Sequence, residues 1–266
     1  MYYSTDGINW IGITTNNDNY TQIISLCYGD GKYIALCGYD KISNPSISTN
    51  IYQYSTDGIN WISGTIDKTS RKYNKVCYGN GVFLVIAFDT NTIAYTKSSS
   101  LNWTVDTSFT SFKITTCEYD LNEDQFWIIG YQSDSSYSNG VGQTKYKYVS
   151  TEKLLTGTGT SASGSVGPES YSNSKIFYCS CWGNNEIAFI GCNYDNGKET
   201  CAFFRPSDSS VNGFTTYEGG YIGGSSNNIY HRIAYGNNKY VAIPFPGTSF
   251  AYCDGSPYPS TLDYIS

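Results

Sequence analysis

The sequence predicts an all-β fold, a β-propeller of about five four-stranded antiparallel blades. Three observations carry that reading. An octet returns letter for letter, a strand–turn–strand motif occurs five times at propeller spacing, and the composition suits pleated sheets joined by tight turns. Of 266 residues, 17% are aromatic and only 14% charged, with 27 Tyr, 27 Gly and one Met. Tyr, Ile, Val, Thr and Phe favour half-buried pleated surfaces, while Gly, Asn and Ser supply turns. A helical bundle rich in Ala, Leu, Glu and Lys is excluded. No stretch approaches the roughly 18 apolar residues of a membrane-spanning helix.

The octet Tyr3-Ser4-Thr5-Asp6-Gly7-Ile8-Asn9-Trp10 reappears unchanged at Tyr54 to Trp61, with a degenerate copy running from Tyr95 to Trp103. Between copies lies a second motif, Cys27-Tyr28-Gly29-Asp30-Gly31-Lys32-Tyr33-Ile34-Ala35-Leu36. It returns at Cys77–Ile86, at Glu118–Ile129, at Cys181–Ile190 and at Ala234–Ile243, anchored by Tyr28, Tyr78, Tyr119, Trp182 and Tyr235. Each unit reads as four strands. The first enters the anchor aromatic, and Gly-Asp-Gly or Gly-Asn-Gly makes a tight hairpin because those residues accept positive φ. The second is almost continuously apolar, implying burial on both faces. A third strand ends in Tyr-Ser-Thr-Asp-Gly, and a fourth begins at Asn-Trp. Four antiparallel strands every 40–50 residues or so are the mark of a propeller, whereas solenoid repeats are shorter.

One domain over 1–266 is expected, its ring closed by pairing of the termini, with residues 1–15 completing the blade begun at 228–245. Closure removes sheet edges. Because Tyr252-Cys253-Asp254-Gly255 duplicates the role of the first octet, a partial sixth blade or a ragged closure stays open. Two stretches break the rhythm and read as loop insertions: 131–173, with a short strand pair near Lys145–Val149, and 207–228. Long loops in compact folds are usually functional or mobile.

The formal net charge is −6, with 16 Lys and Arg thinly scattered. That disfavours nucleic acid, whose affinity rests on neutralising phosphates, and membrane insertion is not expected. Met1 to Asp6 lacks the basic and apolar regions of a signal peptide. Of nine cysteines, Cys27, Cys77 and Cys181 occupy one repeat position, so they face different local cores and read as inert buried thiols. No metal or cofactor is expected. His231 is the only histidine and sits in a first strand, and no Gly-x-Ser-x-Gly elbow accompanies it.

The octets at 3–10 and 54–61 resemble the Asp-box, or bacterial-neuraminidase repeat, with pattern Ser-x-Asp-x-Gly-x-x-Trp; here one residue between Asp and Gly is missing. In that family the box is a structural hairpin on the propeller rim. The resemblance implies that Asp6, Gly7, Trp10, Asp57, Gly58, Trp61 and Trp103 build blades. The whole repeat also looks like those of phage tail and receptor-binding propellers and of bacterial surface propellers. That resemblance implies a virion location (tail, fibre or capsid surface) and partners that are other virion proteins or a host-surface glycan, with homo-oligomers possible. A sialidase-like hydrolase is the alternative. Sialidase chemistry uses a three-arginine clamp, for which this chain has only Arg71, Arg205 and Arg232. A purely structural virion component is a second alternative.

The expected function is therefore a non-enzymatic binding or structural module. Its candidate ligand contacts are aromatics outside the repeats: Tyr137, Tyr171, Tyr217, Tyr221 and Tyr258. Tyr beside Ser, Gly and Asn supplies aromatic area with adaptable hydrogen bonds.

Overall fold

The structure, a computed structural model, describes residues 2–13, 22–38, 50–69, 71–88, 90–108, 112–133, 141–165, 175–193, 198–204, 214–218, 229–245, 250–254 and 263–265. They fall into two compact units, Met1–Phe88 with Thr92–Ser108, and Asp89–Asn91 with Phe109–Ser266.

The first unit opens with a two-stranded sheet, β1 (Tyr2–Tyr3) on β2 (Ile11–Gly12). Two four-stranded antiparallel sheets follow. The first is β3 (Gln22–Gly29), β4 (Lys32–Gly38), β5 (Ile51–Ser55) and β6 (Ile62–Thr65), and the second is β7 (Tyr73–Gly79), β8 (Val82–Ala87), β9 (Thr92–Lys97) and β10 (Thr104–Asp106). Within each, strands pair strictly in chain order. The second strands are the driest: β8 is buried along its whole length, and Ile34 to Cys37 of β4 are buried too. Ile34 and Leu36 of one sheet pack with Val76, Phe83 and Val85 of the next in a shared core. Burial on both faces is why these strands carry unbroken apolar runs instead of alternation.

The second unit holds three sheets of the same order. The third sheet is β11 (Lys113–Asp120), β12 (Gln125–Ser133), β13 (Val141–Ser150) and β14 (Ser161–Ser165), with the helix α1 (Thr151–Thr156) joining its last two strands. The fourth is β15 (Lys175–Gly183), β16 (Glu186–Asn193), β17 (Lys198–Phe204) and β18 (Phe214–Glu218). The fifth is β19 (Ile229–Gly236), β20 (Lys239–Phe245), β21 (Phe250–Asp254) and β22 (Asp263–Ile265). No helix among the described residues is long and apolar enough to cross a membrane.

Local chemistry sets the hairpins. Four of the five first hairpins are two-residue loops in which both central residues have positive φ: Asp30-Gly31, Asn80-Gly81, Asn184-Asn185 and Asn237-Asn238. That is a type I′ turn, whose twist matches the strands it joins. The third sheet differs, with Asp120 pairing Gln125 across a four-residue loop. Every first strand also carries a register shift at one place, between Ile23/Ser25, Tyr73/Lys75, Ile114/Thr116, Phe177/Cys179 and Tyr230/Arg232. These are β-bulges, which bend the strand and increase its twist.

Two expectations need correction. Much of 131–173 is regular structure: β13 is ten residues long, and α1 is capped by the Ser150 hydroxyl and by Gly157 in the left-handed region. β18 lies inside 207–228. Both fourth strands escaped notice because an outer strand needs only backbone partners, and Ser161 to Ser163 are exposed. At the termini the structure matches the alternative the sequence left open. The last sheet is completed by its own β21 and β22, while β1 and β2 pair with each other as a partial sixth sheet.

Candidate functional site

The repeat positions build two devices. The first is a joint between consecutive sheets. Each anchor aromatic pairs across the ladder with a residue at the start of the second strand, and in four sheets the two rings pack at a tilt: Tyr28 against Tyr33, Tyr78 against Phe83, Tyr119 against Phe126 and Tyr235 against Tyr240, at centroid distances of 4.5, 4.9, 5.0 and 4.7 Å. In the fourth sheet Trp182 pairs with Ile187 instead. In two joints, one in each unit, the anchor ring then lies on the glycine that follows the preceding sheet's anchor. A Cβ on Gly29 would sit 2.0 Å from Cγ of Tyr78, and one on Gly183 would sit 2.1 Å from Cγ of Tyr235. The Tyr240 hydroxyl donates to the Gly183 carbonyl at 2.5 Å, and burial pushes that phenol well above its usual range. Hydroxyls tie the first strands further: Val76 N–H donates to the Ser25 hydroxyl at 3.1 Å, and the Thr116 and Ser180 hydroxyls meet at 2.7 Å.

The second device is the octet hairpin. Asp57 Oδ1 accepts from the backbone N–H of Ile59 and Asn60, Oδ2 accepts from the Asn60 amide, and the Ser55 hydroxyl donates to Oδ1. Asp6 makes the same set with Ile8, Asn9 and Ser4. The backbone amides, with Asn60 or Asn9 first, hold both carboxyls far below the usual carboxylate range. Gly7 and Gly58 both take φ of 74°, which lets the chain turn. The acids are spent on closing their own turns.

The tryptophans of the two identical octets part company. Trp61 is 4% exposed, its indole N–H donating to the Gly58 carbonyl at 3.0 Å, with Tyr33 of β4 at 6.3 Å. Trp103, in the degenerate copy, meets Tyr52 edge-on at 5.4 Å. Trp10 is 62% exposed, contrary to the packing role expected of it.

Of the candidate ligand contacts, Tyr217 lies on β18, opposite Cys201 of β17. Tyr137, Tyr171, Tyr221 and Tyr258 fall outside the described residues. Arg71 is engaged by Asp67, which also accepts from Thr69 and Tyr73. Arg232 is an exposed residue of β19, and Arg205 lies outside the described residues. His231 occupies the bulge of β19, between Tyr230 and Arg232. Cys27, Cys77 and Cys181 pair with Ile34, Leu84 and Ala188 at one ladder position. They and Cys37, Cys117 and Cys179 are thiols, not disulfide halves, and burial pushes Cys37 up to about 11. Among the described residues no group of three or more His, Cys, Asp or Glu is set to hold a metal ion.

No family model and no curated protein matches the chain. Solved structures do. A chain of YCF48 bound to D1 peptide aligns over 97% of this chain and 71% of its own, with a TM-score of 0.55 at 15% identity. A chain of the nidogen/laminin complex aligns over 90% and 79%, with a TM-score of 0.58 at 9% identity. The β-propeller domain of Cps50 (Swd1) from Myceliophteria thermophila aligns over 90% and 72%, with a TM-score of 0.55 at 7% identity.

The fold is a β-propeller. Its four-stranded sheets are blades, with β3, β7, β11, β15 and β19 as their first strands. Sequence reasoning found the anchors but missed the joint they make. The signal was present in the glycine after the anchor, which recurs in four of the five blades as Gly29, Gly79, Gly183 and Gly236. In the third, Asp120 takes that slot, with Oδ1 accepting from the turn amides of Asn122 and Glu123 and the carboxyl wholly buried.

Proposed function

We propose that this propeller is a non-enzymatic binding or structural module of a phage virion, at a tail, fibre or capsid-surface position, and that its partner is another virion protein or a host-surface glycan. The observation that carries the module reading is how the repeat residues are used. Anchor aromatics are consumed in joining sheets and the turn acids and hairpin glycines in closing hairpins, leaving the non-repeating residues outside these devices. Binding commonly resides on such segments. Protein partners have support in the comparisons, since two of the similar propellers were solved with a peptide or in a protein complex. The virion placement rests on the likeness of the octets to a shortened Asp-box and of the whole repeat to phage propellers. Tyr137, Tyr171, Tyr217, Tyr221 and Tyr258 remain the proposed contacts.

Mass spectrometry of purified virions tests the placement: the chain should be found in particles at constant ratio to a structural protein, and its absence rejects it. A glycan array then separates the partners, a glycan reader giving signal that Tyr221→Ala lowers and a protein-binding component giving none. The sialidase-like reading predicts release of product from a fluorogenic sialoside, lost in Arg232→Ala.

A further inference from the structure

The third blade departs from the repeat in three places, and the three meet. Asp120 stands where the other blades have Gly29, Gly79, Gly183 and Gly236. The β11–β12 loop has four residues where the other first hairpins have two. The helix α1 follows β13. A repeat that breaks rules its siblings keep is where function or strain is expected.

Contacts tie these departures together. Asp120 is wholly buried, and its Oδ1 accepts from the N–H of Asn122 and Glu123 at 2.8 and 3.3 Å. Its Oδ2 is buried with no hydrogen-bond partner. At the far end of the loop, Asp124 Oδ1 accepts from the Tyr119 hydroxyl at 2.6 Å and from the Thr151 hydroxyl at 2.7 Å, and its carbonyl accepts from the Thr151 N–H. Thr151 is the first residue of α1. One loop thus satisfies half of a buried carboxyl at its start and holds a helix at its end.

Burial disfavours the charged form of Asp120, and Glu123 of the same loop adds a like charge. The amides of Asn122 and Glu123 and the Trp127 indole of β12 pull the other way. Asp124 is a further acid of the loop, while α1 brings Glu152, which accepts from Thr158, and Lys153, which donates to the Gly157 carbonyl. An ionised carboxylate in this setting gains most from water. The loop moves most cheaply to admit it, because Leu121, Asn122 and Glu123 are exposed and leave no core behind.

We propose that the loop between β11 and β12 is a proton-operated latch on α1. With Asp120 neutral the loop is closed and Asp124 holds Thr151. With Asp120 ionised the loop swings out, water reaches the carboxylate, and α1 loses its anchor. The closed form binds the proton more tightly than the open one. Closure is therefore favoured in acid and lost as pH rises through the interval between the two proton affinities. The latch lies within one unit and does not depend on what the protein binds.

Hydrogen–deuterium exchange of the full chain tests it, with rates corrected for the intrinsic pH dependence of amide exchange. Between about pH 4 and about pH 7, opening at the Asn122, Glu123 and Thr151 amides should rise about threefold or more, and by no more than about tenfold per pH unit, the limit for one linked proton. Amides of β16, in the next blade, should keep their protection. Asp120→Asn keeps the acceptor and cannot ionise, so its loop should stay closed at every pH. Glu123→Gln, at an exposed position, removes the like charge and should shrink the rise. Opening that is independent of pH in the wild type, a rise retained in Asp120→Asn, or an equal rise in β16 overturns the proposal. If Asp120→Asn does not fold, Glu123→Gln decides, and a rise equal to that of wild type overturns it.

Discussion

Gly29 and Gly183 have no room for a side chain because an aromatic ring occupies the space. Alanine at either forces the Tyr78 or Tyr235 ring off its seat, and overpacking of this kind costs about 1–3 kcal/mol. Gly236 holds the same repeat position with nothing within 4 Å of its missing Cβ, so Gly236→Ala should stay within about 0.5 kcal/mol of wild type. Urea denaturation of the three variants checks the contrast, and equal losses at all three would refute the joint. Asp120 supplies a second residue-scale outcome. Burial raises its carboxyl above the ordinary aspartate value, against the pull of two turn amides. The folded state thus holds that proton more tightly than the unfolded chain, and stability attributable to the group falls as pH rises through the interval between the two values. Asp120→Asn keeps the acceptor for the amides and removes the charge. Its stability relative to wild type should rise between pH 3 and pH 7, followed by denaturant midpoints; a flat difference would sink the assignment.

At the scale of the element, identical octets separate what a hairpin does for itself from what its neighbours do for it. Both close with the same hydrogen bonds, since Asp6 and Asp57 bond only residues within three positions along the chain. Burial is another matter. Trp61→Ala should cost about 3–5 kcal/mol, as expected for a buried tryptophan, and Trp10→Ala should fall within about 0.5 kcal/mol. Thermal unfolding of the two variants measures this directly. Similar losses would mean that Trp10 is covered in solution. The helix α1 teaches a related lesson. Its six residues sit in a Ser/Thr/Gly-rich stretch that reads as loop, yet Ser150 caps one end, Gly157 the other, and Thr151 donates to Asp124 of the β11–β12 turn at 2.7 Å.

Within each unit, aromatic and aliphatic joints hold consecutive blades, without covalent cross-links among the described cysteines. Thiol titration in denaturant without reductant should count all nine cysteines of the sequence. The native protein should react more slowly, because Cys37, Cys77, Cys117 and Cys179 are buried. A shortfall of two or more in denaturant would reveal a disulfide. The virion reading belongs to this scale as well, and particle composition decides it.

Strand pairs, turn types and the succession of blades were legible in the sequence because they depend on residues close along the chain. Asn-Gly and Asp-Gly demand the φ values that make a tight hairpin, and an unbroken apolar run such as Val82–Ala87 has no stable place except between two sheets. The fourth strands β14 and β18, which follow no octet, were not legible, since an outer strand is selected by backbone pairing and tolerates Ser and Gly. Nor was the ligand surface, because the proposed tyrosines carry no spacing that fixes their neighbours in space. Tertiary structure alone decided the fate of Trp10 and Trp61. Their local sequences are the same, but a side chain is buried only when another element lies over it, and β4 lies over one of them.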